Sequence, residues 1–373
     1  MVGIHRLFLR AKIHHFLYQH NSFPVLDFSA ANLRRLAITW VGNKNRNEGI
    51  SVPKHTLVPP DAYAEELLTA AFLRPFEKSE EFFYFFHEED VSNHAVFQSC
   101  LTIFQNPEQI HEEAGKLTQL LYLHSELPKI SGGEFFVAYF ENLMLQDEPV
   151  SALALVKIQT KDPYLRTERS PETFTLNVAE GITLDKLEVA ALVFNLDETE
   201  GFRICAIDSV SKRDEHSFWK DGFLRLRPIE DNYFNTRHYI NLSSEFITQK
   251  MPYKFGLDRT DQIDLLNRTA LYFKENEAFE LEDYSDTLFP EQEQQEAFRE
   301  FRDEYAKAYA IPLESQFDIS NQAFKKEFKV LKSVIKLDKN FHIYVHGRRD
   351  LIERGFDEEK GKKYYKVWFD DEE

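Results

Sequence analysis

Cysteine is nearly absent from this chain of 373 residues, which contains only Cys100 and Cys205. A disulfide scaffold needs several cysteine pairs and a four-cysteine zinc site needs four thiols, so both are excluded. Two cysteines far apart in a chain of this length favour a reducing compartment.

Long apolar runs are also missing. The runs Phe82–Phe86, Ala152–Val156 and Val189–Phe194 have only five or six residues, whereas a membrane-spanning helix needs about 20 apolar residues. Charged residues interrupt the first ten positions before the apolar stretch of a signal peptide develops. We therefore expect a cytoplasmic protein that does not contact the membrane.

Glycine is scarce at 13 residues, which is about half of its usual frequency. Neither glycine-rich pattern that binds nucleotide phosphates, G-x-x-x-x-G-K-[ST] or G-x-G-x-x-G, occurs in the sequence. The zinc motif H-E-x-x-H and the nucleophile motif G-x-S-x-G do not occur either. The sequence thus predicts no cofactor, no metal and no enzymatic activity.

Acidic and aromatic residues, in contrast, are plentiful. The chain has 63 acidic against 45 basic residues, a net charge of −18, and 34 phenylalanines within a hydrophobic content of 43% that is typical of globular proteins. Residues 321–367 contain 13 basic and 7 acidic side chains, a local charge of +6, which leaves −24 for the rest. This separation suits a protein that presents one basic face to an anion, but lysines that only solvate the surface would give the same count.

The order of predicted elements indicates an α+β fold, an antiparallel sheet with flanking helices, followed by a smaller C-terminal α+β unit. Asp61 and Asn106 are predicted to cap two helices, the second with Ile110, Ala114, Leu117, Leu121 and His124 on one face. Short β-branched and aromatic segments then predict an antiparallel meander over about residues 134–208. Its strands are expected at Phe135–Leu145, Val150–Thr160, Thr173–Val178, Leu187–Leu196 and Phe202–Ile207.

The polar segment Lys250–Gly256 contains a proline and a glycine and predicts a domain boundary, with an N-terminal domain at residues 1–250 and a C-terminal domain at 256–373. Helical spacing predicts helices at Asp258–Asn276 and Glu291–Tyr309. The basic window then predicts β structure at Val330–Leu337, Phe341–Val345 and Tyr364–Phe369, with a turn at residues 338–340. A helix competes for the first of these segments, because Phe324, Phe328, Leu331 and Ile335 also fit a period of 3.6.

Three groups of side chains have the residue types of a metal or nuclease site. The histidines at 14, 15 and 20 and at 342 and 346 lack a carboxylate at matching spacing, which favours ordinary surface histidines. The acidic run from Glu277 to Asp286 is typical of a solvated loop. Asp208 and Lys212 imitate the acid and the lysine of a nuclease but do not have the expected strand spacing.

Five consecutive aromatic residues occupy Phe82–Phe86. In a strand, Phe83 and Phe85 would point away from the other three, so both faces would carry aromatic rings. Either the chain's own helices cover both faces, or a second chain covers one of them. The second alternative predicts either a homo-oligomer or a complex with a partner protein.

Several segments between residues 130 and 373 have an order and spacing that match a known pattern: Gly132–Tyr139, Ala152–Val156, Leu187–Leu196, Tyr272–Glu282, Phe341–Val345, Leu351–Phe356 and Tyr364–Phe369. In these segments the chain resembles the bacterial 37-kDa nucleoid-associated protein family (YejK/NdpA type), and residues 212–236 look like an insertion in that pattern. The resemblance implies a bacterial nucleoid protein that binds double-stranded DNA and contacts chromosome-handling proteins such as topoisomerase. It implies no catalytic residues.

We therefore expect non-enzymatic binding to DNA with little sequence preference, through lysine and arginine contacts to phosphates. The predicted contact residues cluster in turns and on strand faces of the C-terminal hairpin region: Lys332, Lys336, Lys339, Arg348, Arg349, Lys362 and Lys363. Two alternatives stay open. The first is an acidic adaptor that docks a basic protein without touching DNA, and the second is a metal-dependent nuclease.

Overall fold

The computed structural model describes residues 26–55, 61–145, 148–184, 187–211, 216–331, 334–337, 341–344 and 351–371, with the backbone alone at 334–336, 342 and 344. By their contacts these residues form two compact units that divide between Pro228 and Ile229. The predicted boundary segment, Lys250–Gly256, lies C-terminal to this division and is helical as far as Phe255.

The predicted α+β class is confirmed, and the first unit is built on an antiparallel sheet. Its strands lie in the order β11-β4-β10-β9-β6-β5-β2-β3, and β1 pairs with β5 as a further strand. Both edges of this path end in strands of only two or three residues, which limits the backbone left open to other chains. The bounds are β1 Leu26–Asp27, β2 Asn32–Val41, β3 Ile50–Ser51, β4 Phe83–Phe85, β5 Gly133–Leu145, β6 Glu148–Ile158, β9 Val189–Phe194, β10 Arg203–Asp208 and β11 Leu226–Pro228.

Helices cover both faces of this sheet. Helices α2 (Ala95–Gln105) and α3 (Ile110–His124) pack on one face, where Thr118 of α3 lies 2.7 Å from Thr39 of β2, oxygen to oxygen. Helix α1 (Ala62–Leu73) packs on the other face through an edge-to-face contact of Phe72 with Phe136. The central strands are therefore buried on both sides, and every residue of β9 is buried.

The two predicted helix starts are confirmed. Asp61 accepts a hydrogen bond from the Ala64 amide and caps α1. Asn106 caps a short 3-10 turn that leads into α3. On the face predicted for α3, His124 at the C-terminal end is exposed and the other four residues are buried: Ile110, Ala114, Leu117 and Leu121. Helix α2 was not predicted, since its N-cap is the unusual His94, whose Nδ1 accepts from the Phe97 amide.

The predicted meander is confirmed for four of its five strands and is wrong for the other. Strands β5, β6, β9 and β10 are consecutive antiparallel neighbours. The segment predicted at Thr173–Val178 is a strand, but it leaves the sheet. As β8 (Phe174–Ile182) it pairs with β7 (Lys161–Arg169) in a separate two-stranded hairpin between β6 and β9.

The aromatic segment Phe82–Phe86 is covered mostly by its own chain. Phe82, Phe83 and Phe85 are buried, and Tyr84 is half-buried with its hydroxyl donating to Asp197. Of the five rings only that of Phe86 is exposed, beside the Arg227 guanidinium. This confirms the alternative in which the strand is buried within the chain.

The segment that looks like an insertion contributes to the core of the first unit. Within residues 212–236, a π-helix at Phe218–Phe223 places Phe218, Trp219 and Phe223 in the same cluster as α2 and α3. The Trp219 indole donates to the carbonyl of Ala190 in the sheet. The described part of this segment is therefore integral to the fold.

The second unit has a helical core. Its helices are α4 Asn232–Glu245, α5 Met251–Phe255, α6 Arg259–Glu275, α7 Leu281–Leu288, α8 Gln292–Tyr309 and α9 Asn321–Glu327, with a π-helix at Phe246–Lys250 between α4 and α5. The predictions for α6 and α8 are confirmed, and Asp258 and Asp261 form a capping box at the start of α6. A short pair, β12 (Ala278–Glu280) and β13 (Gln316–Asp318), stacks Phe279 on Phe317 inside this core. Among the described residues, no helix has both the length and the apolar character to cross a bilayer.

Candidate nucleic-acid interface

The basic window forms one short helix and two hairpins. Helix α9 begins at a Ser320 cap, and Phe328–Val330 forms a 3-10 turn after it. The first hairpin pairs β14 (Val334–Leu337) with β15 (Phe341–Tyr344), and the second pairs β16 (Ile352–Asp357) with β17 (Lys362–Val367). The predicted hairpin thus exists but begins four residues later than expected, because the competing helical pattern is realised by α9 and the turn.

The predicted contact residues are placed unequally. Lys362 and Lys363 lie exposed at the start of β17. The backbone of Lys336 lies in β14 opposite His342. The other four, Lys332, Lys339, Arg348 and Arg349, lie outside the described residues, as does the turn at 338–340.

The register of the second hairpin separates its charges into two faces. On one face every cation of the two strands has an acid opposite it: Lys362 lies opposite Asp357, and Lys366 forms an ion pair with Glu353 at 3.9 Å. Lys360, in the turn, lies 3.6 Å from Asp357. The positive charge of this face is therefore largely balanced.

The opposite face carries cations without opposed acids. Arg354 lies opposite Tyr365, and Lys363 lies opposite Phe356, whose ring is 58% exposed. Directly opposed residues of an antiparallel pair share a face, so Arg354, Phe356 and Lys363 project together. Within the described part of the chain, neither Arg354 nor Lys363 forms an ion pair. We call Arg354, Phe356 and Lys363 the cationic face.

The base of this hairpin is held by apolar contacts. Ile352 and Tyr365 pack with Ile263 of α6 and with Leu337 and Ile343 of the first hairpin. On the balanced face the Tyr364 ring covers Gly355, where a Cβ atom would lie 2.3 Å from the ring. These contacts fix the ladder, and the outer half of the hairpin extends into solvent.

Exposed aromatic rings accompany the cations of β17. Phe356, Tyr364, Trp368 and Phe369 are all exposed, and the Lys366 ammonium lies 4.2 Å from the centre of the Trp368 ring. Sequence reasoning did not select Arg354 or these rings. Lys362, Tyr364, Lys366 and Trp368 are spaced two residues apart, which is the period of a strand, so the sequence could have shown that these four side chains lie on the same face of β17.

A comparison with known protein families identifies one that covers most of the chain. The family described as nucleoid-associated protein YejK (NA37) matches residues 41–364, which cover most of each unit, the first C-terminal hairpin and the second hairpin as far as Tyr364. The chain belongs to this family. No curated protein sequence matches it.

In this member of the YejK family, Asp208, the candidate nuclease carboxylate, accepts several hydrogen bonds within the chain. Asp208 accepts hydrogen bonds from the Val210 and Ser211 amides at 2.9 Å and from the Ser217 hydroxyl. Lys212 lies outside the described residues. Asp208 therefore acts as a turn cap in this structure.

The other candidate groups do not converge. In the acidic run, Asp283 accepts from the Tyr272 hydroxyl and Glu282 pairs with Arg299. His14, His15, His20 and His346 lie outside the described residues, within which no three histidine, cysteine or acidic residues are grouped to hold a metal. Burial raises the pKa of both thiols, Cys100 and Cys205, which makes them poor nucleophiles at neutral pH.

Proposed function

We propose that this protein binds double-stranded DNA in the nucleoid without catalysing a reaction on it, and that its contacts are phosphate contacts with little sequence preference. Membership of the YejK family supports the nucleoid association. The basic window at residues 321–367 supports DNA as the bound molecule, because its 13 basic and 7 acidic side chains give it a local charge of +6.

The cationic face is the observation that carries this proposal. Arg354 and Lys363 project from one side of a ladder whose other side is charge-balanced. A cation with no acid opposite it keeps its full charge for an external phosphate, and each such contact releases a counterion. A phosphate contact carries no base identity, which accounts for weak sequence preference.

The net charge of −18 sets a condition on this contact. At physiological salt the field of an exposed charge decays over about 8 Å, so distant acids on the surface are screened. A hairpin that extends from its anchor at Ile263 can therefore present positive charge locally on an acidic protein. Binding should weaken steeply as salt is raised.

The role of Asp208 as a turn cap supports a non-enzymatic function, because its hydrogen bonds give this carboxylate a structural role. The acidic remainder of the chain supports an additional contact with a basic surface of chromosome-handling machinery such as topoisomerase. The excess of acidic residues also supports the main alternative, an adaptor that binds a basic partner protein and reaches DNA only through that partner.

A binding titration of the purified full chain on duplexes of unrelated sequence, at a series of salt concentrations, tests the proposal. We expect similar affinities for all duplexes and a linear fall of log affinity with log salt. The double variant Arg348→Ala, Arg349→Ala should weaken binding to all of them alike. An absence of binding at low salt would favour the adaptor, and magnesium-dependent cleavage of a plasmid would favour the nuclease.

A further inference from the structure

Strands β7 and β8 form an arm that stands apart from the sheet of the first unit. They pair only with each other, from Lys161 opposite Ile182 to Arg169 opposite Phe174. All nine residues of β7 are exposed. At the base, Lys161 pairs with Glu134 at 2.6 Å, and Asp162 accepts a hydrogen bond from Thr183. We call residues 161–182 the arm.

One face of the arm is apolar. Leu165 lies opposite Val178, Leu176 lies opposite Thr167, and Phe174 lies opposite Arg169. Four apolar side chains on this face are between 64% and 70% exposed: Leu165, Phe174, Leu176 and Val178. The opposite face carries polar residues, among them Arg166, which pairs with Glu168, and Asn177.

A two-stranded hairpin is at best marginally stable alone in water, and it gains stability when an apolar face is covered. Four neighbouring apolar side chains exposed on one face are typical of an interaction surface. We propose that the apolar face of the arm docks on the body of a second copy of this chain, and that two copies exchange arms reciprocally.

The area of the arm favours reciprocal exchange. Two nine-residue strands, at about 3.3 Å per residue and about 4.8 Å apart, give a face of roughly 300 Å². Two arms stacked face to face would bury only about 600 Å² in total, which is less than a stable interface needs. Two arms, each laid on the partner's body, bury about 1,200 Å², which lies within the range of specific interfaces.

The charge of the arm argues against DNA as its occupant. Residues 161–182 contain three basic and four acidic side chains, a net charge of −1. A β-arm that tracks DNA would need an excess of cations to contact phosphates. A nearly neutral arm, in contrast, can lie against a second copy of charge −18 without adding to the repulsion between the copies.

Reciprocal exchange produces a two-fold symmetric dimer, in which each copy contributes the same surfaces. Such a dimer carries two cationic faces, so a second DNA contact becomes intramolecular after the first. The inference about the arm does not depend on DNA binding, because the arm and the C-terminal hairpins are separate elements in different units.

Sedimentation velocity of the full chain at concentrations between about 1 and 50 μM tests this inference. This range includes the micromolar dissociation constants that are typical of modest interfaces. We expect the wild type to reach twice its monomer mass of 44.0 kDa. The variants Leu176→Glu and Phe174→Glu place a charge on the apolar face and should raise the dimer dissociation constant at least about tenfold. Asn177→Glu is the matched control, since it adds the same charge at the neighbouring position, opposite Arg166, and should dimerise like the wild type.

Cross-linking gives a second readout, in which docking of the arm produces a signal and does not have to be inferred from the loss of the dimer in a charge variant. Both native cysteines are buried, so Val178→Cys introduces an exposed thiol that can be coupled to a photoactivatable cross-linker. We expect a covalent dimer with the cross-link between the arm and the body of the other copy. A wild type that stays monomeric, or equal association of Leu176→Glu and wild type, would overturn the inference. Loss of DNA binding by Leu176→Glu without any change of mass would instead assign the arm to DNA.

Discussion

The imidazole of His94 bridges two segments that are distant in sequence: its Nε2 lies 3.1 Å from the carbonyl oxygen of Leu224. Its Nδ1 accepts from the Phe97 amide, so Nε2 carries the proton and donates to Leu224. The ring thus caps α2 and at the same time ties this helix to residues that follow the π-helix. Burial lowers the pKa of His94 to about 4.

This pKa predicts a loss of stability in acid. In the unfolded chain the imidazole titrates near 6.5, so the unfolded state takes up a proton first as the pH falls. Stability that is present above pH 6.5 is therefore lost between pH 6.5 and 4, with about 2 kcal/mol gone at pH 5. His94→Asn keeps a capping oxygen but does not titrate.

Urea unfolding at pH 7 and pH 5 checks this prediction. At pH 7 the variant should be less stable than the wild type, because it loses the ring contact with Phe85. The difference between the two proteins should narrow by about 2 kcal/mol at pH 5. A difference that stays constant with pH would show that His94 is not the titrating group.

From the position of Trp219 we predict that the segment around residues 216–224 is required for the stability of the first unit. Its indole is fully buried and donates to Ala190. Trp219→Ala should lower the free energy of unfolding by about 3–5 kcal/mol through the cavity it leaves. Trp368→Ala, at an exposed position, is the matched control and should change it by less than about 0.5 kcal/mol. Comparable losses in both variants would contradict the core assignment.

We predict that the contribution of Lys157 to the stability of the protein increases at alkaline pH. Its side chain is buried and its ammonium donates to the Ser131 carbonyl at 2.6 Å. Burial lowers its pKa to about 8, whereas an unfolded lysine titrates near 10.4. The unfolded state holds its proton longer as the pH rises, so the contribution of Lys157 to stability increases between these two values.

Chemical denaturation of the wild type and of Lys157→Met at pH 8 and pH 10 measures this contribution, because other titrating groups are shared and cancel in the difference. The wild type should gain about 2 kcal/mol relative to the variant over this interval. An unchanged difference would mean that Lys157 titrates normally in the folded protein.

The sequence was sufficient to predict those elements in which the spacing of apolar residues identifies both the type of element and the side that faces the core. Helix α3 is an example, since Ile110, Ala114, Leu117 and Leu121 repeat at the helical period and all face the core. Pairing partners could not be derived in the same way. The segment at Thr173–Val178 has the composition of a strand, but only the fold determines that it pairs with the polar strand β7 and leaves the sheet.

The same limit applies to the candidate interface. Lys362 and Lys363 are adjacent in sequence, yet the register places Lys362 opposite Asp357 and Lys363 opposite Phe356. Arg354 was not selected from the sequence, where it follows Glu353, but strand alternation turns these two side chains to opposite faces. A charge count along the chain cannot separate the faces of a ladder.

The salt dependence of DNA binding by two charge-matched double variants tests the central claim most directly. Arg354→Ala with Lys363→Ala removes the cations of the cationic face, whereas Lys360→Ala with Lys366→Ala removes two cations that lie near acids in the same hairpin. Both lose two positive charges, so any effect of net charge is shared. We predict that the first variant flattens the slope of log affinity against log salt by about 1.8, two contacts at about 0.9 each, and that the second changes it far less. Equal slopes for both variants, or a slope unchanged from the wild type in the first, would contradict the account.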